Sequence, residues 1–292
     1  MEKNKLAIFF AVAAAALYAI GSPFSKLLLR EMSPAMMAAF LYLGAGVGMA
    51  IVGFIQRRAN KTGTERRLTK KELPFTAAMI TLDIAAPIFL MIGLGMTTAA
   101  NASLLNNFEI TATAMIAFVF FKEAVSKRLW LAIALITASS IILSFEDMSS
   151  FSFSFGSLFV LLACTCWGLE NNCTRALAGK DPLQVVVVKG FGSGFGSLVI
   201  ALVIGEPFGS LTYIFAAMLL GHIAYGLSIF FYVHAQRELG AAKTSAYYAI
   251  APFIGVALSL AIFREFPTIS FIMALAIMIT GAYFASTDSK KE

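Results

Sequence analysis

The chain has 292 residues, of which 59% are hydrophobic and 13% are charged, with a net charge of +6 and a mean hydropathy of +0.83. This composition excludes an ordinary soluble domain. The charged residues are clustered and leave apolar stretches of about 20 residues, long enough to cross the roughly 30 Å hydrocarbon core of a bilayer. The sequence therefore predicts an all-α integral membrane protein with a single membrane domain.

Ten membrane-spanning helices are predicted in chain order. Their approximate ranges are 6–29, 34–56, 74–95, 99–121, 128–145, 157–178, 183–204, 211–233, 242–263 and 268–286. The first apolar run follows Lys3 and Lys5, as in a secretory signal peptide. It continues through Leu29 and has a counterpart at 157–178, so we expect it to remain as the first span.

Several marks in the sequence occur twice. Two glycine triplets lie 148 residues apart: Gly44, Gly46, Gly48 and Gly192, Gly194, Gly196. Three further matches have offsets of 149, 149 and 142: Lys26 with Arg175, Tyr18 with Trp167, and Phe121-Lys122-Glu123 with Phe263-Arg264-Glu265. The chain is therefore predicted to contain two related five-helix repeats, 1–146 and 154–288. The small-xxx-small spacing of the glycines predicts close helix packing.

The distribution of lysine and arginine predicts the orientation. With a cytoplasmic N-terminus and ten spans, eighteen of these residues lie on the cytoplasmic side and three on the outer side, so both termini are placed in the cytoplasm. This topology explains the basic charge without a nucleic-acid partner. Because five is an odd number, the second repeat enters the membrane inverted, which is the architecture of alternating access. We expect a multi-pass protein of the cell inner (cytoplasmic) membrane.

At this point the sequence resembles a known group, the ten-helix EamA-type branch of the drug/metabolite transporter superfamily, over essentially its whole length. The segment Tyr18-Ala-Ile-Gly-Ser-Pro-Phe-Ser-Lys26 is similar to an aromatic-Gly-Ser-x-Phe-x-x-Lys motif. The stretch from Leu239 through Pro252 to Glu265 is similar to the family's small-residue helix with a mid-helix proline and a terminal glutamate. The first half departs from this pattern, since Glu109-Ile110 stands where the proline is usual.

The resemblance implies two five-helix bundles around a central cavity lined mainly by spans 1, 3, 4, 6, 8 and 9. Spans 2 and 7 would be peripheral. Spans 5 and 10 would be candidate contact surfaces between protomers, so the protein is expected to be a monomer or a homodimer.

Three acids lie near the middle of predicted spans: Asp83 in span 3, Glu109 in span 4 and Glu170 in span 6. An ionisable group at the bilayer midplane costs about 2.5–3.5 kcal/mol on insertion scales. Each acid is therefore a candidate for binding a substrate amine, a proton, or each in turn. The alternative is a carboxyl group that burial keeps neutral and that is hydrogen-bonded inside the bundle.

Other polar and aromatic residues accompany these acids. Further substrate-binding candidates are Asn106, Asn172, Trp167 and Tyr248, because they lie near the acids or beside the mid-helix proline. His222 joins Glu170 and Glu109 as a candidate for proton coupling. Lys189, within span 7, is expected to snorkel or to pair with an acid.

These residues predict a secondary transporter that exports a small polar metabolite such as an amino acid or amine. Proton antiport and uncoupled diffusion remain open. The alternatives are an anionic or nucleotide-linked substrate or, in a different class, an intramembrane enzyme or an ion channel. No metal-binding or catalytic motif is found, so neither an enzyme activity nor a cofactor is expected. Cys164, Cys166 and Cys173 are predicted to be packing residues.

Overall fold

A computed structural model describes residues 2–58, 66–122, 124–147, 152–177, 179–239, 244 and 247–287. Glu123 and part of the predicted ninth span lie outside the described residues. The described chain is helical apart from one short β-hairpin of strands β1 (Phe145–Asp147) and β2 (Ser152–Phe153). The hairpin lies at the predicted junction of the two repeats, and the helical character of the rest of the described chain confirms the predicted all-α class.

The helices of the first half are α1 (Glu2–Ala19), α2 (Gly21–Leu28), α3 (Pro34–Arg58), α4 (Leu73–Met96), α5 (Ala99–Leu105), α6 (Phe108–Phe121) and α7 (Lys127–Leu143). A short 3₁₀ turn, Lys70–Glu72, precedes α4. Predicted spans 1 and 4 are therefore each formed by two consecutive helices.

The helices of the second half are α8 (Phe155–Thr174), α9 (Pro182–Val203), α10 (Leu211–Gly221), α11 (Ser228–Leu239), α12 (Ala251–Phe263) and α13 (Ile269–Ser286). A π-helical segment, His222–Leu227, joins α10 to α11 within predicted span 8. A 3₁₀ turn, Arg175–Leu177, follows α8.

Seven of the described helical segments are long and apolar enough to cross a membrane. They correspond to predicted spans 1, 2, 3, 4, 7, 8 and 10. The other three predicted spans correspond to α7, which has 17 residues, to α8, which carries the polar sequence Glu170-Asn171-Asn172, and to α12, an apolar helix of 13 residues. Helical structure satisfies every backbone hydrogen bond within a segment, as the bilayer core requires.

The two halves meet where α3 crosses α9. Gly190 of α9 lies against the backbone of α3, and a Cβ atom built on Gly190 would be 2.5 Å from the Cα atom of Gly46. Only glycine permits this approach, because any side chain would overlap the backbone of the neighbouring helix. The predicted close-packing role of the glycine triplets therefore agrees with the structure.

One expectation drawn from the family resemblance needs correction, and a second is limited to the outer faces of two helices. Of the candidate spans, α3 is the most buried, with 61% of the residues in its apolar window inside the protein, so span 2 is not peripheral. Helices α7 and α13, which form spans 5 and 10, pack against each other within one chain, and the Ser139 hydroxyl donates to the carbonyl of Ala274 at 2.7 Å. Their contacting faces are therefore not free for a second protomer.

Lys26 joins α2 to the carboxyl end of α4. Its ammonium donates to the backbone carbonyls of Leu94, Gly95 and Thr97 at 2.5, 3.0 and 2.8 Å. These carbonyls have no partner within their helix, and a lysine there also complements the negative end of the helix dipole.

Substitution of Gly190 by alanine should destabilise the protein, because the added methyl group meets the α3 backbone. Overpacking of this kind costs about 1–3 kcal/mol, or more where the backbone cannot move. Thermal unfolding of the detergent-solubilised protein should show a clear loss for Gly190→Ala. Gly95→Ala is the control, since nothing lies within 4 Å of a Cβ atom at Gly95, and it should be nearly neutral. Equal unfolding temperatures would show that the crossing tolerates a side chain.

Candidate functional site

Four of the predicted spans are interrupted in their interior. The interruptions occur at Ile20 between α1 and α2, at Asn106 and Asn107 between α5 and α6, in the π-helical segment, and at the turn 249–250 before α12. Irregular backbone in a membrane protein is tolerated where it is buried or lines a cavity. Because these interruptions belong to spans 1, 4, 8 and 9, they mark the centre of the molecule as the place to look for a site.

A small cleft lies where three of these spans meet. It has a volume of about 10 Å³ and is lined by Tyr18, Ala19, Ser22, Ser103, Asn106, Ala251, Pro252 and Gly255. This is room for about one water molecule. In this conformation the helices are therefore packed closely around the cleft.

A cluster of three charged side chains joins α4, α8 and α9. The ammonium of Lys189 lies 3.0 Å from Oδ2 of Asp83 and 3.2 Å from Oε1 of Glu170. The side chains of Asp83 and Glu170 are buried, and that of Lys189 is 16% exposed. With both carboxylates ionised, this cluster, called the Asp83–Lys189–Glu170 cluster below, carries one net negative charge.

Hydroxyl groups complete the surroundings of the two carboxylates. The Tyr42 hydroxyl donates to Oδ1 of Asp83 at 3.3 Å, and the Thr174 hydroxyl donates to Oε1 of Glu170. Oδ2 of Asp83 is fully buried and makes no aligned hydrogen bond, although it is within ion-pair distance of Lys189. The pairing of Lys189 with this atom is thus electrostatic and geometrically imperfect.

Glu109 belongs to a second polar group between α6 and α8. The side-chain amide of Asn171 donates to Oε1 of Glu109 at 2.7 Å and to the hydroxyl of Thr113 at 3.3 Å. Glu109 is half-buried, and no lysine or arginine of the described chain forms an ion pair with it. Within the described part of the chain, Glu109 is therefore a membrane carboxylate with a neutral hydrogen-bond donor and no counter-ion.

Five tyrosines form a continuous chain of ring contacts. The centroid distances are 5.6 Å for Tyr42–Tyr225, 6.0 Å for Tyr225–Tyr18, 5.7 Å for Tyr18–Tyr248 and 5.0 Å for Tyr248–Tyr232. Tyr42 touches Asp83 at one end, and Tyr18 and Tyr248 lie within electrostatic range of Glu109. The aromatic chain thus runs between the two carboxylate groups, and its faces can accept a cation.

The structure distributes the predicted site residues unevenly. Asp83 and Glu170 share Lys189, whereas Glu109 lies in the neighbouring group with Asn171. Asn172 donates to the backbone carbonyls of Thr113 and Gly168, which ties α8 to α6.

The remaining candidates occupy different positions. Asn106 lines the small cleft, Trp167 is buried within hydrogen-bonding range of Tyr42, and Tyr248 belongs to the tyrosine chain. His222 packs against Gly48, and its Nδ1 atom has no hydrogen-bond partner among the described residues. His222 therefore takes no part in the described contacts of either carboxylate group.

Sequence reasoning did not foresee that Tyr42, Tyr225 and Asn171 take part in these groups. Lys189 was expected to snorkel or to pair with an acid, and it pairs with two. The position of Lys189 inside an apolar span was the feature of the sequence that indicated this pairing. The partner acids could not be named, because nothing in the sequence places span 7 against spans 3 and 6.

Comparison with known proteins agrees with this architecture. The sequence model of the EamA-like transporter family matches residues 5–145 and 154–287, so the chain belongs to this family of membrane transporters. The chain is also similar to a protein of Methanothermobacter thermautotrophicus described as an uncharacterized transporter. The two are 26% identical over 298 residues, which cover 96% of this chain and 85% of that protein.

A solved crystal structure has a similar fold. It superposes with a TM-score of 0.66, covers 97% of this chain and 98% of that chain, and is 16% identical in sequence. This likeness concerns the fold alone.

Removal of the Lys189 ammonium should strongly destabilise the protein, since it leaves two buried carboxylates without a cation. Loss of one partner of a buried ion pair costs about 3–5 kcal/mol. Lys189→Met should therefore unfold at a much lower temperature than the wild type. The matched control is Lys180→Met, because Lys180 is as buried as Lys189 but its partner Glu72, 2.9 Å away, is 17% exposed; the loss of this pair should cost about 0–1 kcal/mol. Similar losses in both variants would contradict a special role for burial.

Proposed function

We propose that this EamA-family protein is a secondary transporter of ten membrane spans arranged as two inverted repeats, 1–146 and 154–288, with both termini in the cytoplasm. It resides in the cytoplasmic membrane and works by alternating access, as a monomer or homodimer without a cofactor or nucleic-acid partner. Two matches of one family model in a single chain support the duplication. Internal contacts supply independent support.

These contacts occur in matched pairs. Where a residue of the first half contacts one of the second half, the equivalent residue of the second half contacts the equivalent position of the first half. Gly44 of span 2 packs against the backbone of Met218 in span 8, and Gly192 of span 7 packs against Ile80 in span 3. The glycines are 148 residues apart and their partners are 138 residues apart. The pair Gly48–His222 has the counterpart Gly196–Ile84 at the same two offsets.

The helix ends repeat in the same way. Lys122 ends α6 and Arg264 ends α12, both in the left-handed conformation, with φ of 55° and 53°. Because residues other than glycine seldom adopt this backbone conformation, its occurrence at two matched positions is informative. A pseudo-twofold relation between the halves accounts for the paired contacts and the paired helix ends.

The substrate class follows from the charges of the site. Glu109 is the single observation that carries the proposal, because it is a carboxylate with no ion-pair partner among the described residues and lies within electrostatic range of Tyr18 and Tyr248. A carboxylate and aromatic faces together bind an ammonium group. We therefore infer a small polar metabolite with a cationic amine, such as an amino acid or an amine, with export as the direction.

The anionic alternative is less well supported. Among the described lysines, Lys189 lies well inside a predicted span, and its charge is already compensated by Asp83 and Glu170. An anionic or nucleotide-linked substrate would have to displace two carboxylates from it. An intramembrane enzyme is disfavoured by membership in a transporter family.

Transport by reconstituted protein tests the proposal. Proteoliposomes would be given amino acids, polyamines, nucleosides and sugar phosphates while solute-induced current, internal pH and labelled flux are recorded. We expect a saturable response to an amine-bearing solute. Glu109→Gln should raise the KM for that solute about 10- to 100-fold, the value of a lost charge-assisted hydrogen bond.

Glu31→Gln is the control variant, because Glu31 is exposed and lies outside the helices. It should transport like the wild type. A response to sugar phosphates alone would support the anionic alternative instead. An unchanged KM in Glu109→Gln would remove Glu109 from the binding site.

A further inference from the structure

The Asp83–Lys189–Glu170 cluster connects the two halves of the protein. Asp83 lies on α4 of the first half, whereas Glu170 and Lys189 lie on α8 and α9 of the second. Any movement that separates α4 from α8 and α9 must therefore break an ion pair.

The position of Lys189 is fixed by its neighbour in sequence. Gly190 forms the close crossing with Gly46, so the backbone at Lys189 cannot shift without opening that crossing. The Lys189 ammonium can follow Asp83 or Glu170 only as far as its side chain extends. It is a cation tethered to one helix and shared by two others.

The equivalent place in the other half has no charge. The offsets of the paired contacts, 148 and 138, make Leu41 and Gly221 the counterparts of Lys189 and Asp83, and the offset of 149 that relates spans 1 and 6 makes Gly21 the counterpart of Glu170. Gly221 packs directly on the Leu41 backbone, which corresponds to the pairing of Asp83 with Lys189. The charged cluster is therefore present on one side of the pseudo-twofold axis, and an apolar contact replaces it on the other.

Under the proposed topology this side is the cytoplasmic one. Helices α4 and α9 begin in the cytoplasm, and α8 ends there, and all three charged residues lie nearer to those ends or to the middle of the helices. The Lys180–Glu72 pair lies at the same cytoplasmic ends and is more exposed to solvent.

We propose that the Asp83–Lys189–Glu170 cluster is a cation-exchange site that controls access from the cytoplasm. The tethered Lys189 ammonium occupies it while the halves are packed, and a mobile unit positive charge, a proton or a primary ammonium, takes that place when they separate. When the helices separate, a mobile cation can stay bound to one carboxylate and move with it. The Lys189 ammonium is attached to α9 and cannot move with both Asp83 and Glu170. The buried Oδ2 atom of Asp83, which lacks an aligned hydrogen bond, is where the incoming charge is accepted.

Other titratable groups surround the cluster and belong to its description. They are Tyr42 on α3, Tyr225 in the π-helical segment, Glu109 on α6, and Cys166 and Cys173 on α8. Helix α11 also touches α9, but its His234 is bonded to the carbonyl of Phe230 and packs on Phe10. The two carboxylates in contact with Lys189 are therefore the acceptors for a cation that takes the place of its ammonium.

Cys173 provides a native reporter. It lies on α8 three residues after Glu170, one helical turn away, and is half-buried. In a background with Cys164→Ala and Cys166→Ala, its alkylation by a membrane-impermeant maleimide is measured in inside-out vesicles. Rates are normalised to those of the unfolded protein at the same pH.

In the wild-type cluster, methylammonium and acidification should each accelerate alkylation of Cys173. Tetramethylammonium, which has no N–H donor, should not. Lys189→Met should alkylate at least about tenfold faster without added cation, because Asp83 and Glu170 then repel each other. Methylammonium should slow this variant, since it relieves that repulsion. If Lys189 had only a structural role, methylammonium would not accelerate alkylation of the wild type and slow that of Lys189→Met.

Two further variants complete the test. Lys180→Met, which removes the Lys180–Glu72 ion pair between the halves, should keep the wild-type rate and its response to methylammonium. Lys189→Arg retains a tethered cation and should behave like the wild type even if Lys189→Met does not fold. The proposal is overturned if the wild type ignores both cations and pH, or if Lys180→Met behaves like Lys189→Met.

This inference rests on the proposed transport function, and the two fail differently. Labelling of Cys173 requires no knowledge of the substrate, whereas the flux panel requires no movement at Cys173. Amine flux with a cation-independent labelling rate would leave the transporter and remove the exchange site.

Discussion

The close crossing of α3 and α9 is the contact on which the other features of this protein depend. Because Gly46 and Gly190 carry no side chains, the two helices approach with their backbones in contact. This approach joins the two halves and places Lys189 at a fixed depth in the interior. From there its ammonium reaches one carboxylate of each half. Without this crossing, the Lys189 ammonium would not be held at this position.

Burial of charge in this protein follows the rule that a buried ion needs a partner. Asp83 and Glu170 are buried with a shared lysine, and hydroxyl groups satisfy further lone pairs. Glu109 instead has an amide donor and partial access to solvent. Three acids that look alike in the sequence therefore differ in their surroundings, since two share one lysine and the third has a neutral amide donor and no ion-pair partner among the described residues.

The proposed internal duplication explains why so many local features occur in pairs, and the departures from it are equally informative. Span 4 is interrupted at Asn106 and Asn107, whereas span 9 is interrupted just before Pro252, so the same break is achieved without a proline in the first half. The charged cluster has an apolar counterpart in Leu41, Gly221 and Gly21. Symmetry of the backbone thus coexists with asymmetry of charge, and a transporter needs a difference between its two sides.

The sequence by itself determined the class of protein and most of the helix positions, and it located the three acids inside the predicted spans. These properties follow from hydropathy, glycine spacing and charge, which are local and periodic along the chain. It could not determine that Lys189 pairs with Asp83 and Glu170, that span 2 is central, or that His222 lies apart from the carboxylates. Such facts depend on which helix faces touch across more than a hundred residues of chain. Only the tertiary structure decided them, because helix packing is fixed by side-chain shape at the contact and not by the order of the spans.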